Sequence, residues 1–142
     1  MRALLDVNVL VALLQPDHIH FERAHAWWSV HSGQGWASCP LTQNGFIRIV
    51  SQPSYPGPLP VARAIDEMAA QIAATDHQFW PDDVSLLDSD VADRTRLLGP
   101  KQLTDVYLLA LAVKNGGRLV TFDRAIPIQA VRGSTPDNMV VL

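Results

Sequence analysis

The chain predicts an α/β fold, a three-layer α/β/α arrangement around a mostly parallel central sheet. Three observations carry this reading. Two short apolar runs, Arg2–Asp6 and Arg118–Asp123, each end on an aspartate; continuous apolar runs of that length read as strands buried on both faces. Short apolar segments alternate with stretches of helical periodicity, as in successive βα units. Of the 142 residues, 48% are hydrophobic, enough to build one core for a single domain spanning 1–142.

In chain order, Arg2–Asp6 is the first strand. Val7–Leu14 is a short buried helix stopped near Pro16. His18–Val30 is a second helix, with Phe21, Ala24 and Trp28 at i, i+3 and i+7 on one face, and Gly33 and Gly35 break it. Trp36–Cys39 is a brief strand, and Leu41–Ser51 a helix with Pro40 near its first turn. The proline-rich stretch Gln52–Pro60 fits neither a helix nor a central strand and is a loop. Val61–Thr75 resumes helix, its stripe being Val61, Ile65, Met68 and Ile72. Gln78–Trp80 is a short strand and Asp88–Leu98 another helix. Leu103–Lys114 is a strong helix that Asn115-Gly116-Gly117 closes. The strand ending at Asp123 follows, then a turn or short helix at Ile126–Val131 and a last strand, Met139–Leu142.

Composition narrows the function classes. Charged residues are 18%, the formal net charge is −3 and the mean hydropathy is +0.08. A broadly basic, non-specific nucleic-acid binder is therefore disfavoured. A nucleic-acid enzyme is not, because acids clustered in one site dominate such a sum while a bound cation reverses the local field. The lone cysteine, Cys39, forbids an internal disulfide and fits a reducing, cytoplasmic compartment. Asp6 and Asn8 interrupt the N-terminal apolar run, which is neither a signal peptide nor a membrane span.

In open α/β sheets chemistry gathers at the carboxyl ends of the strands, so Asp6 and Asp123 are expected to face one crevice. Asp105, in the first turn of the helix before the Asp123 strand, is the third acid. Each taken alone has a plain structural account. Asp105 or Thr104 suits a helix N-terminus, and Asp6 or Asp123 can order the turn after its strand. Together they change the balance: two carboxylates about 4 Å apart repel by roughly 4 kcal/mol at an effective dielectric near 20. Three converging acids hold protons or demand a hard cation, Mg²⁺ or Mn²⁺. Such an ion with open positions is the equipment of phosphoryl-transfer and nuclease sites, where a metal-activated water attacks and no side-chain nucleophile is needed.

Leu4-Leu5-Asp6-Val7-Asn8-Val9-Leu10, Thr104-Asp105-Val106-Tyr107-Leu108-Leu109-Ala110 and Gly117-Arg118-Leu119-Val120-Thr121-Phe122-Asp123 resemble the three signature stretches of PIN-domain proteins. With Pro16-Asp17-His18, Trp27-Trp28, and the run from Pro40-Leu41-Thr42 to Gly45-Phe46-Ile47-Arg48, the chain is similar to VapC toxins of VapBC toxin–antitoxin systems. The resemblance covers nearly the whole length in the right order. It implies a metal-dependent endoribonuclease, usually a homodimer, held inactive by a VapB-type antitoxin and cutting structured RNA such as tRNA or ribosomal RNA. On that resemblance Asp6, Asp105 and Asp123 hold the metal. One position departs: family members usually carry a glutamate where Gln43 aligns here, so one negative charge is missing and weaker metal binding or lower activity is expected. Gln43 is then at most a weaker, neutral fourth member.

Other residues have narrower readings. Asn8 is expected to orient Asp6 or a metal-bound water, or else to serve a turn or helix cap. Thr104 and Thr121 flank the acids and are candidates to hydrogen-bond them. Arg48 and Arg124 are candidate RNA phosphate contacts, with Arg118, Arg132 and Lys101 near the site in sequence. His18, His20 and His25 with Cys39 lack any zinc-ligand spacing. Two rival readings stand beside the nuclease. A haloacid-dehalogenase-like phosphatase needs a second aspartate two residues after Asp6, and Asn8 stands there instead. A PIN-shaped binding module with impaired catalysis has Gln43 as its one hint.

Overall fold

The computed structural model describes residues 1–142. Five strands form one all-parallel sheet: β1 (Ala3–Leu5), β2 (Trp36–Ser38), β3 (His77–Phe79), β4 (Arg118–Thr121) and β5 (Met139–Val141). Their spatial order is β3-β2-β1-β4-β5. Five helices cover it: α1 (Val7–Leu14), α2 (Phe21–His31), α3 (Pro40–Val50), α4 (Val61–Ala74) and α5 (Leu103–Lys114). The expected three-layer α/β class is the observed one.

Strand alternation sorts the core into two halves. Ala3 and Leu5 of β1 and Val120 of β4 join Val9, Leu10, Phe46, Val50 and Met68 on the face covered by α1, α3 and α4. Leu4 and Leu119, one residue out of phase, join Val106, Leu109 and Leu111 of α5 on the other face. Successive side chains of a strand point to opposite faces, and here both faces are covered, so these strands are apolar throughout rather than alternating. Full enclosure of a leucine such as Leu4 contributes about 1.5–3 kcal/mol.

Local signals set the ends that matter for the site. Asp6 is the N-cap of α1, its Oδ1 accepting the Val7 amide at 2.7 Å. Eight residues are too few for a helix that stands on its own propensity, so α1 persists by packing against α3 and the sheet. Pro40 opens α3, where Cys39 and Thr42 form a capping box, the Cys39 amide donating to Thr42 Oγ1 at 3.0 Å. α5 ends on Asn115, after which Gly116 turns the chain at φ +66°.

Two expectations need correction. The helix expected over Asp88–Leu98 is absent; the segment holds turns and one short 3₁₀ turn at Arg94–Arg96. Its aspartates bind their own backbone instead, Asp88 Oδ1 accepting from the Asp90 amide and Asp93 Oδ1 from the Thr95 amide. That local bonding competes with a helix ladder. The backbone also pairs across the chain, the Asp93 amide with Ala130 and the Arg132 amide with Val91. The second helix begins at Phe21 rather than His18, because His18 Nδ1 accepts the His20 amide in a turn.

Candidate active site

The strand order runs β3-β2-β1 to one side and β4-β5 to the other, so the direction of winding reverses between β1 and β4. Crevices outside the carboxyl ends of strands at such a reversal are where open α/β sheets bind ligands. Asp6 directly follows β1 and Asp123 lies two residues after β4. The pairing Leu5↔Val120 sets the two strand ends level, and the Asp6 amide donates to Val120 at 3.0 Å. The first turn of α5, packed over the sheet face opposite α1, brings Asp105 to the same edge.

Asp6 is buried, 7% exposed. Its two oxygens are each engaged: Oδ1 by the Val7 amide, Oδ2 by the Thr121 hydroxyl at 2.6 Å. Burial pushes its carboxyl above the ordinary range, the Thr121 and Val7 hydrogen bonds pull it back, and the Asp123 charge raises it further. Asp105 is driven higher, to about 7. Burial is the largest cause, followed by a carboxyl–carboxyl hydrogen bond with Asp123 and the charges of Asp6 and Asp123. Three acids drawn from residues 6, 105 and 123 thus feel one another across one crevice. Asp123 also orders its own turn, its Oδ1 accepting the Ala125 amide at 2.8 Å while its amide donates to Thr121 Oγ1 at 3.0 Å. Thr121 therefore links both strand ends.

The residues suit a hard divalent cation by chemistry, although no three His, Cys, Asp or Glu side chains stand as a ready-made cage. Burial raises the Asp105 carboxyl most, and the charges of Asp6 and Asp123, which raise it further, are what such a cation would relieve. A second feature agrees: the side-chain oxygen of Asn8, two residues from Asp6, is buried with no hydrogen-bond partner. A buried orphan acceptor is costly, and a water held by a cation is a donor of the kind it lacks.

The remaining expected residues make no hydrogen bond to the acids, except Thr121. Gln43 sits in α3, and its Nε2 donates to Ser38 Oγ at 2.9 Å, while Ser38 Oγ is 2.8 Å from His77 Nε2. The amide that aligns with the usual acid is thus tied to β2 and β3, and it makes no hydrogen bond to the three aspartates. Thr104 is exposed and bonds none of the acids, so the expectation of a hydroxyl there is corrected; Thr121 alone fills that role. Arg48 and Arg124 are exposed and in no ion pair. The histidines do not converge: His25 Nε2 is 2.9 Å from the Leu13 carbonyl, and Cys39 is buried against Thr42. Sequence reading did not single out Ser38, whose role depends on a contact between β2 and α3 that no motif encodes.

The PIN domain family matches residues 3–131. "Ribonuclease VapC44" of Mycobacterium tuberculosis is 56% identical over 142 residues, all of both chains. "Ribonuclease VapC39" of the same organism is 44% identical over 134 residues, 94% of this chain and 96% of that one. Among solved structures, VapBC2 from Rickettsia felis bound to a promoter DNA fragment superposes with a TM-score of 0.59, covering 87% of this chain and 89% of that one. At 12% identity that likeness speaks to the fold alone. The chain belongs to the PIN-domain family and, within it, to the VapC type.

Proposed function

We propose that this chain is the toxin of a type II toxin–antitoxin pair, an endoribonuclease that hydrolyses RNA phosphodiester bonds with Mg²⁺ or Mn²⁺. The convergence of Asp6, Asp105 and Asp123 at the carboxyl edge of the sheet carries the reading. The names of its relatives support the ribonuclease class and, through their VapC type, a VapB-type antitoxin as partner. A homodimer acting in the cytoplasm, with tRNA or ribosomal RNA as substrate, completes the proposal. No helix is long and apolar enough to cross a membrane.

The residues divide the work. Asp6, Asp105 and Asp123 would hold the cation, which would supply a Lewis acid and an activated water. Thr121 fixes the orientation of Asp6 by donating to it. Asn8, whose side-chain oxygen is buried without a partner, would accept from a water held there. Arg48 and Arg124, exposed and in no ion pair, would be free to meet backbone phosphates.

Antitoxin-free protein incubated with total RNA tests this. Cleavage is expected with Mn²⁺ and not with a chelator, and Asp123→Asn should abolish it. Binding without cleavage in every condition would instead favour an impaired binding module.

A further inference from the structure

Ser38 closes β2 and is fully enclosed, and its hydroxyl has two partners: Gln43 Nε2 at 2.9 Å and His77 Nε2 at 2.8 Å. A hydroxyl carries one hydrogen and two lone pairs. The Gln43 nitrogen donates, so Ser38 accepts there and its single hydrogen is left for His77 Nε2. That ring nitrogen must then be bare, with the imidazole proton on Nδ1. The surroundings of His77 agree. Burial, and then the charge of Arg2, hold its imidazole below the ordinary range, and Arg2 is itself paired with Asp76 at 3.0 Å. Trp36 packs on the ring, the centroids 4.4 Å apart and the planes at 62°. The three groups form one relay from α3 through β2 to β3, and both of its hydrogen bonds run the same way.

Position 43 is also where this chain departs from the glutamate its relatives usually carry. An ionised glutamate has no hydrogen to give. Ser38 would donate to it and His77 Nε2–H would donate to Ser38, which reverses the relay. With glutamine the amide nitrogen is spent on Ser38, and the oxygen is the atom left free. The first turn of α3 leaves the sheet beside α1: Leu4 pairs with Ala37, so Asp6 and Cys39 follow at one level, and Gly45 lies against Val7. We propose that Ser38 and His77 are positioning residues for Gln43, fixing its amide with the nitrogen inward and the oxygen presented as a neutral acceptor for the cation or its bound water. The inference deepens the ribonuclease reading and rests on its metal ion. An amide that nothing holds is free to rotate and turn its N–H groups toward a cation, which repels them. Partners of this outer kind orient the groups that meet a metal.

Nitrogen NMR of the histidine rings in the metal-free full chain reads the relay directly. Wild type should show neutral His77 with its proton on Nδ1, and Gln43→Glu should move that proton to Nε2. Ser38→Ala should weaken Mn²⁺ binding, measured by calorimetry, roughly tenfold, the low end of what loss of an outer partner costs. His77→Gln, whose amide oxygen can accept from Ser38 in place of Nε2, should keep the wild-type affinity, whereas His77→Leu should lose it as Ser38→Ala does. A wild-type His77 protonated on Nε2, or the same tautomer in Gln43→Glu, would overturn the proposal. So would unchanged Mn²⁺ affinity in a folded Ser38→Ala protein. A wild type that binds no Mn²⁺ would defeat the metal reading separately, since the tautomer comparison needs no ion.

Discussion

At Asp105 burial and two neighbouring carboxylates all act in one direction, keeping the carboxyl protonated up to about pH 7. An acid whose pKa is higher in the folded chain than in the unfolded one binds its proton more tightly when folded. Its contribution therefore favours the fold at low pH and is lost as pH rises from the ordinary aspartate range through about 7. In chelator, the melting temperature should fall between about pH 4 and pH 7, and Asp105→Asn should flatten that fall while abolishing RNA cleavage. Scanning fluorimetry across pH checks this; equal slopes in both proteins would deny the coupling. The same residue shows what a sequence carries. Asp6 and Asp123 are legible because each closes an apolar strand, and Asp105 because it opens a strong helix before one. The bond between Gln43 and Ser38 is not legible, since it depends on where α3 lies over β2, and neither is the unpaired oxygen of Asn8.

Among the elements, α1 and α3 come closest over Gly45. A Cβ built there would lie 2.5 Å from Cγ2 of Val7, and valine, stiff at χ1, cannot swing clear. Gly45→Ala should then push α3 away from the helix that Asp6 caps. A stability loss of about 1–3 kcal/mol is expected from such overpacking, read as a lower denaturation midpoint at unchanged m-value. A neutral substitution would mean the helices are free to part. Nearly every helix was legible from periodicity and its stops. The exception is 88–98, where acidic residues near a helix start and those in successive Asx-type turns look alike in sequence; pairing with the 130–132 segment decides the outcome. The sequence predicts Gln78–Trp80 where the strand is His77–Phe79, one residue earlier, because its exposed members give a weak apolar signal.

For the molecule as a whole, the sheet order matters more than any single motif. Winding outward from β1 in one direction and from β4 in the other leaves the two strands that end on aspartates side by side, a consequence of topology that periodicity alone does not reveal. The three-layer class followed from alternation of short apolar runs with helices; the reversal point, and so the meeting of residues 6 and 123, came from the strand order. On the proposed reading Asp6, Asp105 and Asp123 together hold a divalent cation at that meeting point. Anomalous diffraction from crystals of the antitoxin-free protein soaked in Mn²⁺ tests it most directly. A manganese peak between these three carboxylates that disappears in Asp123→Asn crystals is expected, whereas no peak there, or one at a different edge of the sheet, would rule out the shared ion.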